Sequence, residues 1–238
     1  MEYRVRVPFS LTIMILAGFL TACTVPDAPR ASAPKASAPL FSAAQSARMF
    51  AEVVRTVEPV AERECRLRTK NVDCDFDIVV DNRPNQPANA YQTLDRNDRP
   101  IIAFTTALIG DARNADELAF IMGHEAAHHI GGHIARQEQH AVAGAVLAGG
   151  LAVLLGGNSD AVQTAQRTGA QVGARQYSKN FELEADELGT IITARAGYDP
   201  LRGAAFFSRI PDPGDRFLGT HPPNAARVET VRRTAGSL

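Results

Sequence analysis

The chain has 238 residues and carries 25 Lys plus Arg against 26 Asp plus Glu, a formal net charge of −1 at pH 7. That balance leaves no electrostatic footprint for nucleic acid, and the lack of tryptophan, with aromatic residues at only 6%, argues against a base-stacking platform. Once a targeting segment is set aside, the length suits one domain with a substantial core.

At the N-terminus Arg4 and Arg6 precede an apolar run, residues 11–20, too short for a comfortable membrane span. Leu20-Thr21-Ala22-Cys23 then resembles a bacterial lipobox. On this reading residues 1–22 are a lipoprotein signal peptide. Cys23 is acylated, and lipid rather than a helix anchors the mature chain. Thr24 stands where an aspartate would favour inner-membrane retention, so the outer membrane is the expected residence, with the chain facing the periplasm. Residues 23–41, the lipidated cysteine and an Ala/Ser/Pro-rich run, cannot bury enough apolar surface to fold and form a tether. Residues 42–238 form the remaining domain.

Met49, Val53, Val54, Val57 and Val60 recur at helical spacing and predict a helix over about 43–68, interrupted or kinked near Pro59. With Cys23 acylated, Cys65 and Cys74 are left, close in sequence and in a compartment where disulfides persist, and their pairing is expected. Residues 76–80 read as a strand. Residues 90–110 read as a β-hairpin, with strands at 91–94 and 101–104 around a polar turn. Asn114 has the chemistry of an N-cap and Glu117 completes a capping box, opening a helix through Leu118, Ile121 and Met122.

That helix carries His124-Glu125-Ala126-Ala127-His128. At i, i+4 the two histidines share one face and offer two imidazole nitrogens to a single metal ion. Glu125, beside them, suits a carboxylate that takes a proton from metal-activated water without being a ligand. A catalytic zinc keeps one position open and needs a third protein ligand. His133 is the nearer candidate, but it would be turned off the His124/His128 face in a continuing helix, and it lies one residue out of register with the longer H-E-x-x-H-x-x-G-x-x-H pattern. The stronger candidate lies in residues 181–189, an acidic helix in which Glu182 and Asp186 share a face at i, i+4. There Glu182 can ligate the metal while Asp186 accepts the spare N–H of a ligating histidine.

Between these helices, residues 141–157 carry no charge and are rich in Ala, Gly, Val and Leu. They are short for a span and interrupted by glycines. The segment could graze a membrane or cover the cleft, and we expect a hairpin of helices with residues 159–176 as its second arm. His221 precedes Pro222. Alone it reads as a pre-proline turn residue or as an acid, base or ligand near neutral pH.

His124-Glu125-x-x-His128-x-x-x-x-His133, then Ser178-Lys179-Asn180-Phe181-Glu182-x-x-Ala185-Asp186-x-x-Gly189, then 196–200, then Thr220-His221-Pro222 with Arg227, resembles the HtpX-like and CAAX-prenyl-protease type of gluzincin zinc peptidases. The resemblance spans about residue 42 to the end. It implies an α+β, mainly helical, zincin-like metalloprotease domain with a small β-sheet beside the HExxH helix, and one Zn2+ per chain. It also implies that Glu182 is the third zinc ligand, that Asp186 is its supporting partner, and that His221 and Arg227 border the substrate or the transition state. Where the family often has Arg after the serine, this chain has Lys179. His221 would either donate to the oxyanion or reach the zinc at rest. The implied activity is zinc-dependent endoproteolysis in the bacterial envelope on unfolded or misassembled proteins, with the outer-membrane assembly machinery as a partner. The alternative is a chaperone-like assembly factor that rarely cuts.

Overall fold

The computed structural model describes residues 40–176, 178–212, 214 and 221–238. The expected signal peptide, Cys23 and nearly all of the expected tether lie outside the described residues.

Ser42 opens α1 (Ala43–Arg68) through a capping box, its hydroxyl accepting from the Gln45 amide while the Gln45 side chain accepts from the Ser42 amide. Of the two expected outcomes at Pro59, an interruption or a kink, the first does not occur: α1 runs continuously through it. It buries the stripe Phe50, Val53, Val57, Val60 and Ala61 against the core, and tertiary packing of that stripe outweighs the one hydrogen bond the proline removes. Cys65, at the end of α1, is disulfide-bonded to Cys74, with Cα atoms 5.8 Å apart. Closing this short loop stabilises the fold by about 2–3 kcal/mol through the entropy it removes from the unfolded chain.

Three strands follow: β1 (Asp77–Asp81), β2 (Ala90–Leu94) and β3 (Pro100–Thr105). The expected hairpin is β2–β3, antiparallel with Gln92 opposite Ile102, and β1 lies parallel on the other side of β3. The order is β1-β3-β2. The hairpin turn is fixed by Asp95, whose carboxylate accepts from the amides of Asn97 and Arg99. The central strand is the most buried, with Ile102 and Phe104 fully inside. Among the described residues only one side of β2 is paired with a strand.

A short helix, α2 (Thr106–Asp111), capped by Thr105, leads to α3 (Ala115–Ile130). Asn114 caps α3 as expected, accepting from the Glu117 amide at 3.0 Å. The reciprocal arm of the predicted capping box is displaced by one residue. The buried Glu117 carboxylate accepts from the amide of Arg113 and is held by the Arg209 guanidinium, a charge-assisted partner stronger than the N-cap amide. Leu118, Met122 and Ala126 of α3 pack with Phe50, Val53 and Val57 of α1 and with Ile102 and Phe104 of β3 in one core.

The chain turns at Gly131–Gly132, the latter left-handed at φ 60°, into α4 (His133–Leu154), which pairs with α5 (Ser159–Gln176) as the expected helical hairpin. Among the described residues of the hairpin, His133, Ile134 and Gln137 at the start of α4 line the cleft. Beyond them Val142, Val146, Leu147, Leu151, Leu154 and Leu155 are exposed. No helix among the described residues is long and apolar enough to cross a membrane. The last elements are α6 (Ser178–Arg195), the short α7 (Pro200–Ala204) capped by Asp199, a 3-10 turn (Ala205–Ser208) and α8 (Asn224–Ala235). Phe120 of α3, Ala204 of α7, Phe207 and Val231 of α8 form a second apolar cluster. The architecture is mainly helical with a small mixed sheet, as the resemblance implied.

Candidate metal centre

The site is built where α3 crosses α6, and two glycines set the separation. A Cβ on Gly123 would fall 2.9 Å from the Gly189 carbonyl oxygen, and one on Gly189 would fall 2.8 Å from the His124 amide nitrogen. Glu182, Asp186, Gly189 and Thr193 follow each other at i, i+4 and i+3 along one face of α6, so this close approach presses the carboxylates of that face toward His124 and His128. Gly189→Ala is expected to lower stability by about 1–3 kcal/mol, because backbone rather than a flexible side chain must yield. It should also weaken zinc binding. Thermal unfolding and a zinc-competition titration on one preparation check both, and an unchanged pair of values would show that the spacing is not critical.

His124 Nε2 and His128 Nε2 lie 3.0 Å apart. Glu182 presents Oε2 to His124 Nε2 at 3.6 Å and Oε1 to His128 Nε2 at 3.4 Å. Zn–N and Zn–O bonds of about 2.0–2.1 Å in a tetrahedron separate their donors by roughly 3.4 Å, so these spacings suit one small cation. Among the described residues this trio forms a His/His/Glu cluster able to coordinate one Zn2+, with three protein donors and a fourth position left for water. His133 is outside it.

Behind the trio the supports are buried. His124 Nδ1 donates to Asp186 Oδ1 at 2.9 Å, which leaves the Nε2 lone pair facing the centre. Asp186 is fully buried and receives a two-pronged grip from Arg227 of α8, Nε to Oδ2 at 2.8 Å and Nη2 to Oδ1 at 2.7 Å. Arg227 also lies over the Phe207 ring at 4.0 Å. The expectation that Arg227 borders the reacting groups meets this geometry: it lines the cleft and grips Asp186, its Nη2 lies 3.3 Å from both ring nitrogens of His124, and Glu182 Oε2 is 3.6 Å away. His221 stands at the rim, 55% exposed, with Nδ1 3.2 Å from Glu182 Oε2. Glu125 is buried and lines the same cleft.

The electrostatics agree with a cation site. Burial alone would raise the pKa of Glu182, but hydrogen bonds from His124, His128 and His221 reverse it and hold the carboxyl well below its usual range. Burial also opposes ionisation of Asp186, and Arg227 and His124 overcome it. For His124, burial disfavours the charged ring, yet Asp186 and Glu182 outweigh it and raise its pKa to about 9. Without a metal the proton on His124 and the Arg227 guanidinium supply the positive charge that these carboxylates need, and a metal ion bound at His124 would displace that proton.

The sequence places these residues in a known group. Residues 47–235 match peptidase family M48. The chain belongs to that family. Among its relatives, the beta-barrel assembly-enhancing protease of Escherichia coli K12 is 28% identical over 167 residues, which are 65% of this chain and 34% of that protein. The protein of the same name from Yersinia pestis shows the same identity and coverage. A Vibrio cholerae relative is 32% identical over 181 residues, 66% of this chain and 37% of its own length. The chain thus matches little more than a third of the length of each of these proteins.

Sequence reasoning brought together His124, His128, Glu182, Asp186, His221 and Arg227, and the structure sets five of them along one cleft with Asp186 buried behind His124. It missed the Gly123–Gly189 contact and the place of His133, which lies 2.8 Å behind His128. The Gly131-Gly132 pair was the available signal for the latter.

Proposed function

We propose that the chain is a zinc-dependent endopeptidase of the bacterial envelope, with His124, His128 and Glu182 as ligands and Glu125 as the proton carrier. The observation that carries this is the three-donor cluster at tetrahedral spacing on the floor of a cleft of about 670 Å3. Zinc held there supplies Lewis acidity and, by lowering the pKa of water to about 7, a nucleophile at neutral pH. The Glu125 carboxylate takes the proton of the attacking water and passes it to the leaving amine. His221, exposed at the rim beside Glu182, offers an N–H to the developing oxyanion. Asp186 and Arg227 hold His124 in register throughout.

Residues 88–92, which take in the first three residues of β2, line the same cleft, and among the described residues no strand pairs with the side of β2 away from β3, where an extended chain can bind by strand addition. This mode needs backbone rather than a particular sequence and suits unfolded or misassembled proteins. The relatives are named for enhancing β-barrel assembly, and that likeness supports misassembled envelope proteins as substrates, with the assembly machinery as a neighbour. The lipobox at Cys23 supports a lipid-anchored, periplasm-facing enzyme, outer-membrane resident, in the small lipoprotein branch of the HtpX-like peptidases.

The test is cleavage of casein by the zinc-loaded protein, by the chelator-stripped protein and by the reconstituted one. Cutting that disappears with the metal and returns with it is expected. Glu182→Ala should take up less than stoichiometric zinc, and full loading with full activity in that variant would overturn the ligand assignment.

A further inference from the structure

The His124 ring is oriented by Asp186, and His128 has a support of another kind. Gly131 and the left-handed Gly132 end α3 and swing His133 back beneath it, where its ring is buried. The ring is clamped: a Cβ on Gly131 would come 2.4 Å from His133 Nε2, and the Phe181 ring stacks on the other side, with centroids 4.8 Å apart and planes 12° from parallel. His133 Nδ1 lies 2.8 Å from His128 Nδ1, the nitrogen of His128 that faces away from the metal position. His133 Nε2 lies 3.3 Å from Glu184 Oε2, and Glu184 is held by Arg136 at 2.6 and 3.2 Å. Arg136 itself lies 4.3 Å over the Phe181 ring.

Only one pattern of protons satisfies every member. With His128 Nε2 turned to the metal, its Nδ1 carries the proton and donates to His133 Nδ1. His133 then carries its own proton on Nε2 and donates to Glu184, which accepts from both His133 and Arg136. We propose that His133 is the positioning residue for His128, an uncharged acceptor that fixes the tautomer and ring orientation of this metal-binding histidine and is itself aligned by the Glu184–Arg136 pair. The inference rests on the zinc reading above and adds to it a residue outside the trio. The two histidines of the HExxH helix are thus supported asymmetrically, His124 by a buried carboxylate and His128 by a neutral imidazole that leads to an ion pair near the surface.

The experiment compares zinc dissociation constants, by competition with a chromophoric chelator, for wild type, His133→Phe and His133→Asn. Phenylalanine keeps the volume and the stacking on Phe181 but has no acceptor, whereas asparagine loses volume but places an oxygen close to where Nδ1 stood. His133→Phe is expected to weaken zinc binding roughly 10–100-fold, the usual cost of losing a residue that orients a ligand, and His133→Asn to stay within about threefold of wild type. The opposite order, or equal affinities, would overturn the proposal by showing that His133 only fills space. A second measurement depends on no variant: long-range 1H–15N spectra of the zinc-loaded wild type should show His133 protonated on Nε2 and bare on Nδ1, and the reverse tautomer refutes the assignment. Wild type that takes up no stoichiometric zinc would instead remove the metal reading on which this rests.

Discussion

Replacing Glu125 with glutamine is expected to lower kcat/KM for casein or a quenched peptide by roughly 10²–10⁴, the range that a positioned general base contributes. Each tenfold loss corresponds to about 1.4 kcal/mol of barrier, so the variant should forfeit about 3–5 kcal/mol of transition-state stabilisation. Glutamine keeps the shape of the side chain and its place on α3 but cannot take a proton at either terminal atom. Glu125 stands outside the His124–His128–Glu182 cluster, so zinc content should not change. The measurement is therefore steady-state cleavage at equal, directly assayed zinc. Equal rates in both proteins would show that the proton leaves by another route. Loss of cleavage with full rescue of an envelope defect in cells would favour the chaperone-like alternative.

The second large effect concerns stability. Arg227→Ala is expected to destabilise the protein by about 3–5 kcal/mol, the cost of leaving a buried charge without its partner. Asp186 is fully buried, and the two strong bonds from Arg227 are lost together. For a domain of this size the melting temperature should fall by roughly 10–15 °C. The companion variant, Arg227→Met with Asp186→Leu, removes both charges and should regain most of that loss, because an apolar pair of similar volume needs no compensation. It should nonetheless bind zinc poorly, since His124 Nδ1 loses its acceptor. Differential scanning calorimetry with a zinc titration separates the two effects. An Arg227→Ala protein that melts with wild type would mean that Asp186 finds another partner or a proton at little cost.

These predictions depend on residues of differing legibility. The HExxH helix, the β2–β3 hairpin, α1 and the acidic face of α6 were readable because each is written in a local period: two histidines one turn apart, alternating strand residues, an apolar stripe, two carboxylates one turn apart. The Cys65–Cys74 bridge followed from counting. What escaped depends on contacts between segments distant in sequence. Gly123 and Gly189 look like two weak points in two helices until the helices cross. Glu117 carries the sequence of a capping box, yet Arg209, far along the chain, draws its carboxylate elsewhere. Pro59 signals a break that burial on both sides of it overrides. His133 was set aside as a ligand for being off the face of its helix, and that displacement is what carries it behind His128. Arg227 had no local signature. Only the resemblance drew attention to it, and the geometry gives it a buried task beside Asp186.

That task bears on the order in which the centre is made. His124 and Arg227 are 103 residues apart in sequence, and Asp186 needs both to stay ionised in the interior. A chain emerging from the ribosome or threading across a membrane can complete α3 and even α6 while α8 has yet to arrive. Until it docks, Asp186 has no guanidinium to face, and the α3–α6 crossing must either admit water or take up a proton. The metal centre is therefore expected to be completed only when α8 docks, so that an incompletely folded copy of this chain binds the metal poorly.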